Sequence, residues 1–134
     1  MERIFEKYER NEYGYIVATI STSLAKILKS NTNNVVFSEA SIKKNMKHHP
    51  DIKEEVYKRL DEIVGRTHLI VRDSERNIAI ALYMDEMYHY ALKATRSGNV
   101  IFLTSFRRTK QKDIDRLRKK ARKGKVQILK DFMP

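Results

Sequence analysis

The sequence predicts an α+β fold in which N-terminal helices pack on a four-stranded antiparallel sheet and a basic helix follows at the C-terminus. Three observations support this prediction. Apolar residues recur at helical spacing in the first half of the chain, aromatic and β-branched residues fill the segment 67–108 between short polar turns, and the last segment combines an apolar stripe with many cations. Since no internal repeat or linker is visible, we expect an N-terminal arm over residues 1–12 and a single domain over residues 13–134.

Short elements alternate at the start of this domain. Tyr13–Ile20 has the composition of a strand, and Ser21–Lys29 predicts a short helix with leucine and isoleucine facing inward. Val35–Phe37 predicts a brief strand. Ser38 is a suitable N-cap for a helix that continues through Lys47.

A corner between two helices follows at His48-His49-Pro50-Asp51. Pro50 disfavours helical conformation at the preceding residue, so the first helix is expected to end at His49. Asp51 together with Glu54 fits the capping box of a second helix. The two histidines therefore lie at a corner from which a side chain can point into a cleft, with helix capping or simple surface exposure as the alternative.

The second helix is expected to end at Gly65, and four strands follow as an antiparallel meander. Thr67–Arg72 and Ile78–Met84 form a first hairpin. The two halves of Tyr88–Arg108 form a second hairpin around the turn Ser97–Asn99. Aromatic and β-branched residues in these segments favour pleated, half-buried strands.

The register of the second hairpin follows if Gly98 and Asn99 form a two-residue loop. Three pairs then face each other on one side of the sheet: Lys93 with Thr104, Thr95 with Phe102, and His89 with Arg108. The other side is expected to face the core and carries Tyr90, Leu92, Ala94, Ile101 and Leu103. This register is a hypothesis, because a slip of one residue changes the cross-strand partners.

The C-terminal segment is strongly basic. The chain carries a net charge of +11, and the segment 107–134 contains twelve basic and three acidic residues. Thr109 is expected to cap a helix over Lys110–Lys123, and Val126–Leu129 adds a short closing strand. The inner stripe of this helix consists of Ile114, Leu117 and Ala121. Such a concentration of cations predicts binding to a polyanion, usually nucleic acid, with a solvated surface helix as the alternative.

The composition excludes several classes of site. The chain has no cysteine, which excludes disulfides and thiolate metal sites. Because it lacks a glycine-rich phosphate loop, a nucleophile elbow and ligands at metal-binding spacing, we expect neither a cofactor nor a metal. No apolar run is long enough for a membrane helix, and the first residues lack the apolar stretch of a signal peptide. We therefore expect a cytoplasmic protein without membrane contact.

Cleavage of RNA without a metal is a chemistry that the remaining side chains can perform alone. The 2′-hydroxyl attacks the adjacent phosphate, which requires a base, an acid and cations around the phosphorus. Histidine transfers protons near neutral pH, while arginine, lysine and hydroxyl groups bind phosphate oxygens. The candidate catalytic residues are His48, His49, Lys93, Thr104, Ser105 and Arg107. The candidate nucleic-acid-binding residues are Lys44, Lys47, Thr95, Arg108, Lys110, Lys112, Arg116, Lys119, Lys120 and Lys123.

Several of these candidates have a purely structural alternative. A lysine such as Lys93 also protects the edge of a sheet from aggregation. Thr95 and Thr104 are ordinary strand residues. Tyr88 and Tyr90 are expected to pack in the core or across strands, with base stacking as the alternative.

Two stretches carry a resemblance to a known family, VVFSEASIKKNMKHHPDI at 35–52 and LKATRSGNVIFLTSFRRTKQKDIDRL at 92–117. They resemble the phage-borne members of the Barnase–EndoU–colicin–RelE superfamily, most specifically at the HHP corner and at the TSFRR junction. The resemblance implies one nuclease-like domain over residues 13–134, an α+β fold, and metal-independent cleavage of RNA such as tRNA or mRNA by a toxin. The site residues that it implies are His49 with His48 beside it, Lys93, Thr104, Ser105 and Arg107.

Three functions therefore stay open. The first is a toxin-like, metal-independent RNA endonuclease of a phage or mobile element, with an antitoxin or immunity protein as a further partner. The second is a non-catalytic nucleic-acid-binding protein of a mobile element. The third is a protein-interaction module whose basic helix binds an acidic partner.

Overall fold

The computed structural model describes residues 2–74 and 76–133. Three positions lie outside the described residues: Met1 of the predicted arm, Glu75 of the first predicted hairpin, and Pro134 at the end of the predicted domain. This part of the chain forms six helices and eight strands. The helices are α1 (Glu2–Phe5), α2 (Thr22–Ile27), α3 (Glu39–His48), α4 (Glu54–Tyr57), α5 (Leu60–Gly65) and α6 (Gln111–Arg122). The strands are β1 (Arg10–Asn11), β2 (Gly14–Thr19), β3 (Asn34–Phe37), β4 (Leu69–Asp73), β5 (Arg76–Tyr83), β6 (Glu86–Ala94), β7 (Ile101–Thr109) and β8 (Gln127–Asp131). Within the described residues, none of the helices has the length and apolar character required to cross a membrane.

All of these strands belong to one mixed sheet with the order β1-β2-β3-β7-β6-β5-β4-β8. Neighbouring strands are antiparallel except β3 and β7, which are parallel and pair Val35 with Ile101 and Val36 with Phe102. The fold is α+β, but the prediction of N-terminal helices on a four-stranded antiparallel sheet is wrong. The predicted meander is present as β4 to β7, to which the N-terminal part adds three strands and the C-terminal end adds β8.

Strand β3 was predicted as an element, but it joins the sheet through pairing with a distant segment. The sequence of β3 has the composition of a strand, and Val35, Val36 and Phe37 are all buried, as expected for a strand inside a sheet. Parallel neighbours require a long connection, however, and nothing within β3 itself specifies β7 as its partner. Local composition therefore predicts the element and leaves its place in the sheet undetermined.

The sheet buries apolar side chains on both faces. On one face, residues such as Tyr90 join the main core, to which each of the helices α1 to α5 contributes a buried side chain. On the other face, Val71 and Ile80 pack against Ile114 and Leu117 of α6. Since α6 packs on β4 and β5, it leaves part of β6 and β7 uncovered on its side of the sheet.

The segment predicted as an N-terminal arm contributes to the main core. The side chains of Phe5 and Tyr8 are buried there. The Tyr8 hydroxyl donates a hydrogen bond of 2.6 Å to the Tyr57 carbonyl and accepts one of 3.1 Å from the Leu60 N–H. Two aromatic side chains thus attach this segment to α4 and α5, although its charged sequence shows no clear periodicity.

Some helix boundaries agree with the sequence prediction and others do not. The hydroxyls of Ser21 and Ser38 accept backbone N–H groups at 3.1 and 3.2 Å, so the predicted cap at Ser38 is confirmed and Ser21 is a second cap that was not predicted. The predicted cap at Asp51 is wrong, because α4 begins after Lys53 and its N-cap makes no side-chain hydrogen bond. The expected single helix is divided into α4 and α5, which ends at Gly65 as predicted.

The register of the β6–β7 hairpin differs from the prediction. Its loop comprises residues 96–99, because the Thr95 N–H still bonds to the Val100 carbonyl at 2.9 Å. A bulge farther along β7 leaves Thr104 without a strand partner. The predicted pairs Lys93 with Thr104, Thr95 with Phe102 and His89 with Arg108 are wrong, and the observed pairs are Lys93 with Phe102, Ala91 with Ser105, and His89 with Arg107. The predicted core side is confirmed by the full burial of Tyr90, Leu92, Ile101 and Leu103.

Candidate functional site

An open face remains where α6 does not cover its side of the sheet. Tyr90 and Leu92 point into the main core, so the alternating residues His89 and Lys93 point to the α6 side. Cross-strand partners share a face, and Arg76 alternates with Ile78 and Ile80, which pack on α6. We define the open face by Arg76, His89, Lys93, Phe102, Ser105 and Arg107.

A cleft of about 360 Å³ lies between this open face, α6 and the end of α3. Its polar lining consists of His49, Asp73, Arg76, His89, Ser105, Arg107, Asp113, Arg116 and Lys120. Four of these side chains are cationic and two are carboxylates, so the cleft is positive even with both histidines neutral. Side chains from five elements and one helix corner converge there, and the charge balance favours an anionic ligand.

His49 reaches the cleft because α3 ends at this point. Its backbone N–H donates a hydrogen bond of 2.8 Å to the Asn45 carbonyl and closes the helix. The buried side chain of Asn45 donates to the Tyr57 hydroxyl at 2.9 Å and accepts from the Phe106 N–H at 2.8 Å. Phe106 lies between the two cleft residues of β7, so this contact fixes the end of α3 against that strand.

His89 has an environment that favours the neutral imidazole. Burial, and next the positive charge of its strand partner Arg107, lower the pKa of His89 to about 4. Its Nδ1 atom is buried and has no hydrogen-bond partner in the described part of the chain. His89 is therefore neutral at neutral pH, and a neutral imidazole has one ring nitrogen that can accept a proton.

The carboxylate of Asp113 orients two arginines of the cleft. Its oxygens lie 3.9 Å from Nη1 of Arg107 and 3.5 Å from Nη1 of Arg116. The Thr109 hydroxyl donates a hydrogen bond of 2.8 Å to Asp113, and this bond together with the two guanidinium groups lowers the pKa of the carboxyl. Thr109 therefore contacts the first turn of α6 through Asp113, while the N-cap, predicted at Thr109, is Lys110.

The structure brings together half of the candidate catalytic residues. The cleft contains His49, Ser105 and Arg107. Lys93 instead lines an adjoining groove together with Asp73, Ser74 and Arg76, of which Asp73 and Arg76 also line the cleft. Lys93 is therefore adjacent to the cleft rather than inside it.

The other two candidate catalytic residues lie outside the cleft lining. Thr104 is exposed at the bulge of β7, where its hydroxyl lies 3.5 Å from the Ala91 carbonyl. His48 is exposed on the last turn of α3. Of the two adjacent histidines, His49 is thus the one with access to the cleft.

The cations of α6 form a continuous band next to the cleft. Arg116 and Lys120 line the cleft directly. Lys112, Lys119 and Lys123 are exposed, and helical spacing sets them on the flank beside those two residues. Five of the predicted nucleic-acid-binding residues therefore share one side of this helix.

The remaining predicted binding residues are more dispersed. Lys110 and Arg108 line a second groove at the end of β7, where Nη2 of Arg108 lies 2.7 Å from a Glu86 carboxylate oxygen. The hydroxyl of Thr95 accepts the Val100 N–H at 3.3 Å, directly before the hairpin loop. Two further lysines, Lys44 and Lys47, are exposed on α3.

Four polar residues of the cleft were not among the predicted site residues. Asp73 and Arg76 were assigned to the turn of the first predicted hairpin, His89 was assigned only to a cross-strand pair, and Asp113 was given no role. A usable signal existed for His89, because it alternates with Lys93 in the same strand and so shares its face. The other three depend on the approach of β4, β5 and α6, which no local pattern shows.

Among residues 2–74 and 76–133, no three histidine, aspartate or glutamate side chains cluster as metal ligands would. The expectation that the protein uses neither metal nor cofactor stays a prediction.

No protein-family model, curated protein or solved structure matches this chain. Comparison with other proteins therefore leaves the resemblance untested.

Proposed function

We propose that the protein is a ribonuclease that cleaves RNA by attack of the 2′-hydroxyl on the adjacent phosphate, without a metal ion. One observation carries this proposal. Two histidines from different elements, His49 and His89, meet Ser105 and Arg107 in a single positive cleft. Acid–base groups and phosphate-binding groups are what this reaction requires from a protein.

The two histidines take different roles in the proposed reaction. Neutral His89 accepts the proton of the 2′-hydroxyl as its oxygen bonds to phosphorus, and the bond from phosphorus to the 5′-oxygen breaks. His49 donates a proton to that leaving oxygen. The products are a 2′,3′-cyclic phosphate and a free 5′-hydroxyl. Although the pKa of free His89 is low, a bound phosphate raises it by opposing the charge of Arg107.

The remaining cleft residues bind phosphate. The guanidinium of Arg107 stabilises the charge that develops on the phosphate oxygens, and the Ser105 hydroxyl donates a hydrogen bond to them. Arg116 and Lys120 attract the flanking backbone, and the cationic flank of α6 extends this attraction along the strand. Lys93 lies in the adjoining groove and contacts a phosphate outside the cleft.

Cleavage in the presence of EDTA tests the proposal. Labelled RNA should yield fragments that end in a 2′,3′-cyclic phosphate. His49→Gln and His89→Gln should each reduce the rate about a hundred-fold or more, since removal of a general acid or base has effects of this order. His48→Gln is the matched control, because His48 is exposed beside His49, and its rate should stay near that of wild type. A strict magnesium requirement, or equal loss in the His48 and His49 variants, would contradict the proposal.

A non-catalytic nucleic-acid-binding protein is the second candidate, and the cationic flank of α6 favours it. Neutralising phosphates releases counterions, so binding should weaken steeply with added salt. Intact RNA after incubation, together with salt-sensitive binding that His49→Gln leaves unchanged, would support this candidate over the ribonuclease. A toxin role, an origin in a phage or mobile element, an antitoxin partner and a cytoplasmic location depend on the sequence alone and stay predictions.

A further inference from the structure

An exposed aromatic side chain lies over the open face at the end farther from α6. Tyr13 is 46% exposed and its ring meets that of Phe102 edge-on, with centroids 6.1 Å apart. Phe102 is half-buried and belongs to the open face, whereas most other aromatic side chains of the sheet point into the main core. Two aromatic rings accessible from the same side are unusual on a surface that is otherwise polar.

The turn that carries Tyr13 is held in place. The Asn11 side-chain oxygen accepts hydrogen bonds from the N–H groups of Tyr13 and Gly14, at 2.8 and 3.2 Å. Gly14 has a φ of +147°, and a Cβ atom there would lie 2.5 Å from the Phe37 carbonyl oxygen. Only glycine allows this close approach to β3, so the backbone turn that carries Tyr13 is held against β3 before any ligand binds.

A continuous path joins these rings to the cleft. Phe102 is the strand partner of Lys93, and both side chains lie on the open face. Lys93 shares a groove with Arg76, which also lines the cleft. Along this path a ligand meets two aromatic rings, then two cations, and then the cleft. Aromatic rings stack on bases and cations bind phosphates, so this path offers both kinds of contact to a single strand.

We propose that Tyr13 and Phe102 form a base-stacking subsite for single-stranded nucleic acid, and that Lys93 and Arg76 bind the phosphates between this subsite and the cleft. The subsite requires an unpaired base, because a base inside a duplex does not present its face to a flat protein surface. The inference takes its ligand class from the proposed function but does not require cleavage.

A binding measurement on a ligand that cannot be cleaved separates the two proposals. The probe is a fluorescein-labelled 2′-O-methyl RNA of about 12 nucleotides, a length within the usual range of single-strand sites. It lacks the attacking hydroxyl, so its affinity reports binding alone. The same sequence as a duplex, and heparin as a polyanion without bases, serve as comparison ligands.

Tyr13→Ala and Tyr13→Leu should each weaken binding of the single strand about ten-fold, which corresponds to roughly 1.4 kcal/mol of lost stacking. Affinities for the duplex and for heparin should change by less than about two-fold, since they depend on the cations. Tyr13→Phe keeps the ring and should bind like wild type. Met84→Ala, which removes another exposed apolar side chain in the β5–β6 turn, is the matched control and should also bind like wild type.

Two outcomes would overturn the subsite. One is single-strand binding by Tyr13→Leu within about two-fold of wild type, because leucine covers Phe102 but does not stack on a base. The other is an equal loss for all three ligands in a variant that melts at the wild-type temperature. Absence of RNA cleavage together with the ten-fold loss in Tyr13→Ala would reject the ribonuclease and retain the stacking subsite.

Discussion

Replacing His89 with glutamine should make the stability of the protein less dependent on pH. The pKa of His89 is about 4 in the folded chain, whereas an exposed histidine of the unfolded chain has a pKa near 6.5. Between these two values the unfolded state binds more protons than the folded state. The free energy of unfolding therefore falls as the pH decreases through about 6.5 toward about 4, and this loss is absent well above pH 6.5.

The size of the effect follows from the two pKa values. At about pH 5 the unfolded imidazole is almost fully protonated and the folded one is mostly neutral, which lowers the free energy of unfolding by about 2 kcal/mol relative to about pH 8. Below about pH 4 the loss approaches roughly 3 kcal/mol. Glutamine fills a similar volume and does not titrate, so His89→Gln should lose most of this dependence.

Urea denaturation followed by circular dichroism, at several pH values between about 5 and 8, measures the difference. Burial, and next the charges of Lys130 and Arg66, also lower the pKa of His68, so wild type retains a second contribution of the same sign. The His68→Gln variant serves as the matched control, because it should keep the part of the pH dependence that comes from His89. Parallel pH profiles for wild type and His89→Gln would refute both the neutral state of His89 and its proposed role as a base.

Two further predictions concern residues that position the cleft and the stacking subsite, and the same denaturation experiment measures both. Asn45→Ala should lower the free energy of unfolding by about 2–4 kcal/mol, because it leaves the buried Phe106 N–H and the Tyr57 hydroxyl without partners. A loss below about 1 kcal/mol would contradict the role of Asn45 in holding α3 against β7. Gly14→Ala should cost about 2 kcal/mol or more, since the new Cβ meets backbone of β3, whereas Gly124→Ala, also at positive φ but in open space, should cost only about 1 kcal/mol. Equal costs at the two glycines would show that the close contact with β3 is unimportant.

The sequence predicted those features that depend on neighbouring residues. The serine cap at Ser38 was recognisable because an N-cap hydroxyl bonds to an N–H within the next turn. The inner stripe of α6 was recognisable because Ile114 and Leu117 are one turn apart. In contrast, the helix start predicted at Asp51 failed, since α4 begins with Glu54 and has no side-chain cap.

The sheet order could not be predicted in the same way, because its decisive contact joins segments far apart in the chain. The Val35–Ile101 pair sets β3 beside β7, although both strands are compatible with several neighbours on composition alone. Once β3 is in place, it covers only the first part of the β7 edge. Farther along, the Asn45 side chain accepts the Phe106 N–H that a neighbouring strand would otherwise bind.

The sequence predicted which types of residue form the candidate site, but it did not predict which individual residues line the cleft. Residue chemistry selected His49, Ser105 and Arg107, but it equally selected His48, Lys93 and Thr104, which lie outside the cleft. The roles of His89 and Arg76 depend on burial and on the approach of neighbouring elements, which appear only in three dimensions. Lys93 was correctly placed on the open face, but its register was wrong, so its partner proved to be Phe102.

The bulge in β7 explains how a strand with the sequence Thr-Ser-Phe-Arg-Arg supplies the cleft. Ile101 and Leu103 point into the core, so strict alternation would direct Ser105 and Arg107 to the same side and Phe106 to the open face. The extra residue at Thr104 reverses the alternation. Phe106 is consequently buried in the main core, and Ser105 and Arg107 face the cleft opposite Ala91 and His89. The register irregularity that the sequence analysis did not foresee is therefore the feature that assembles the site.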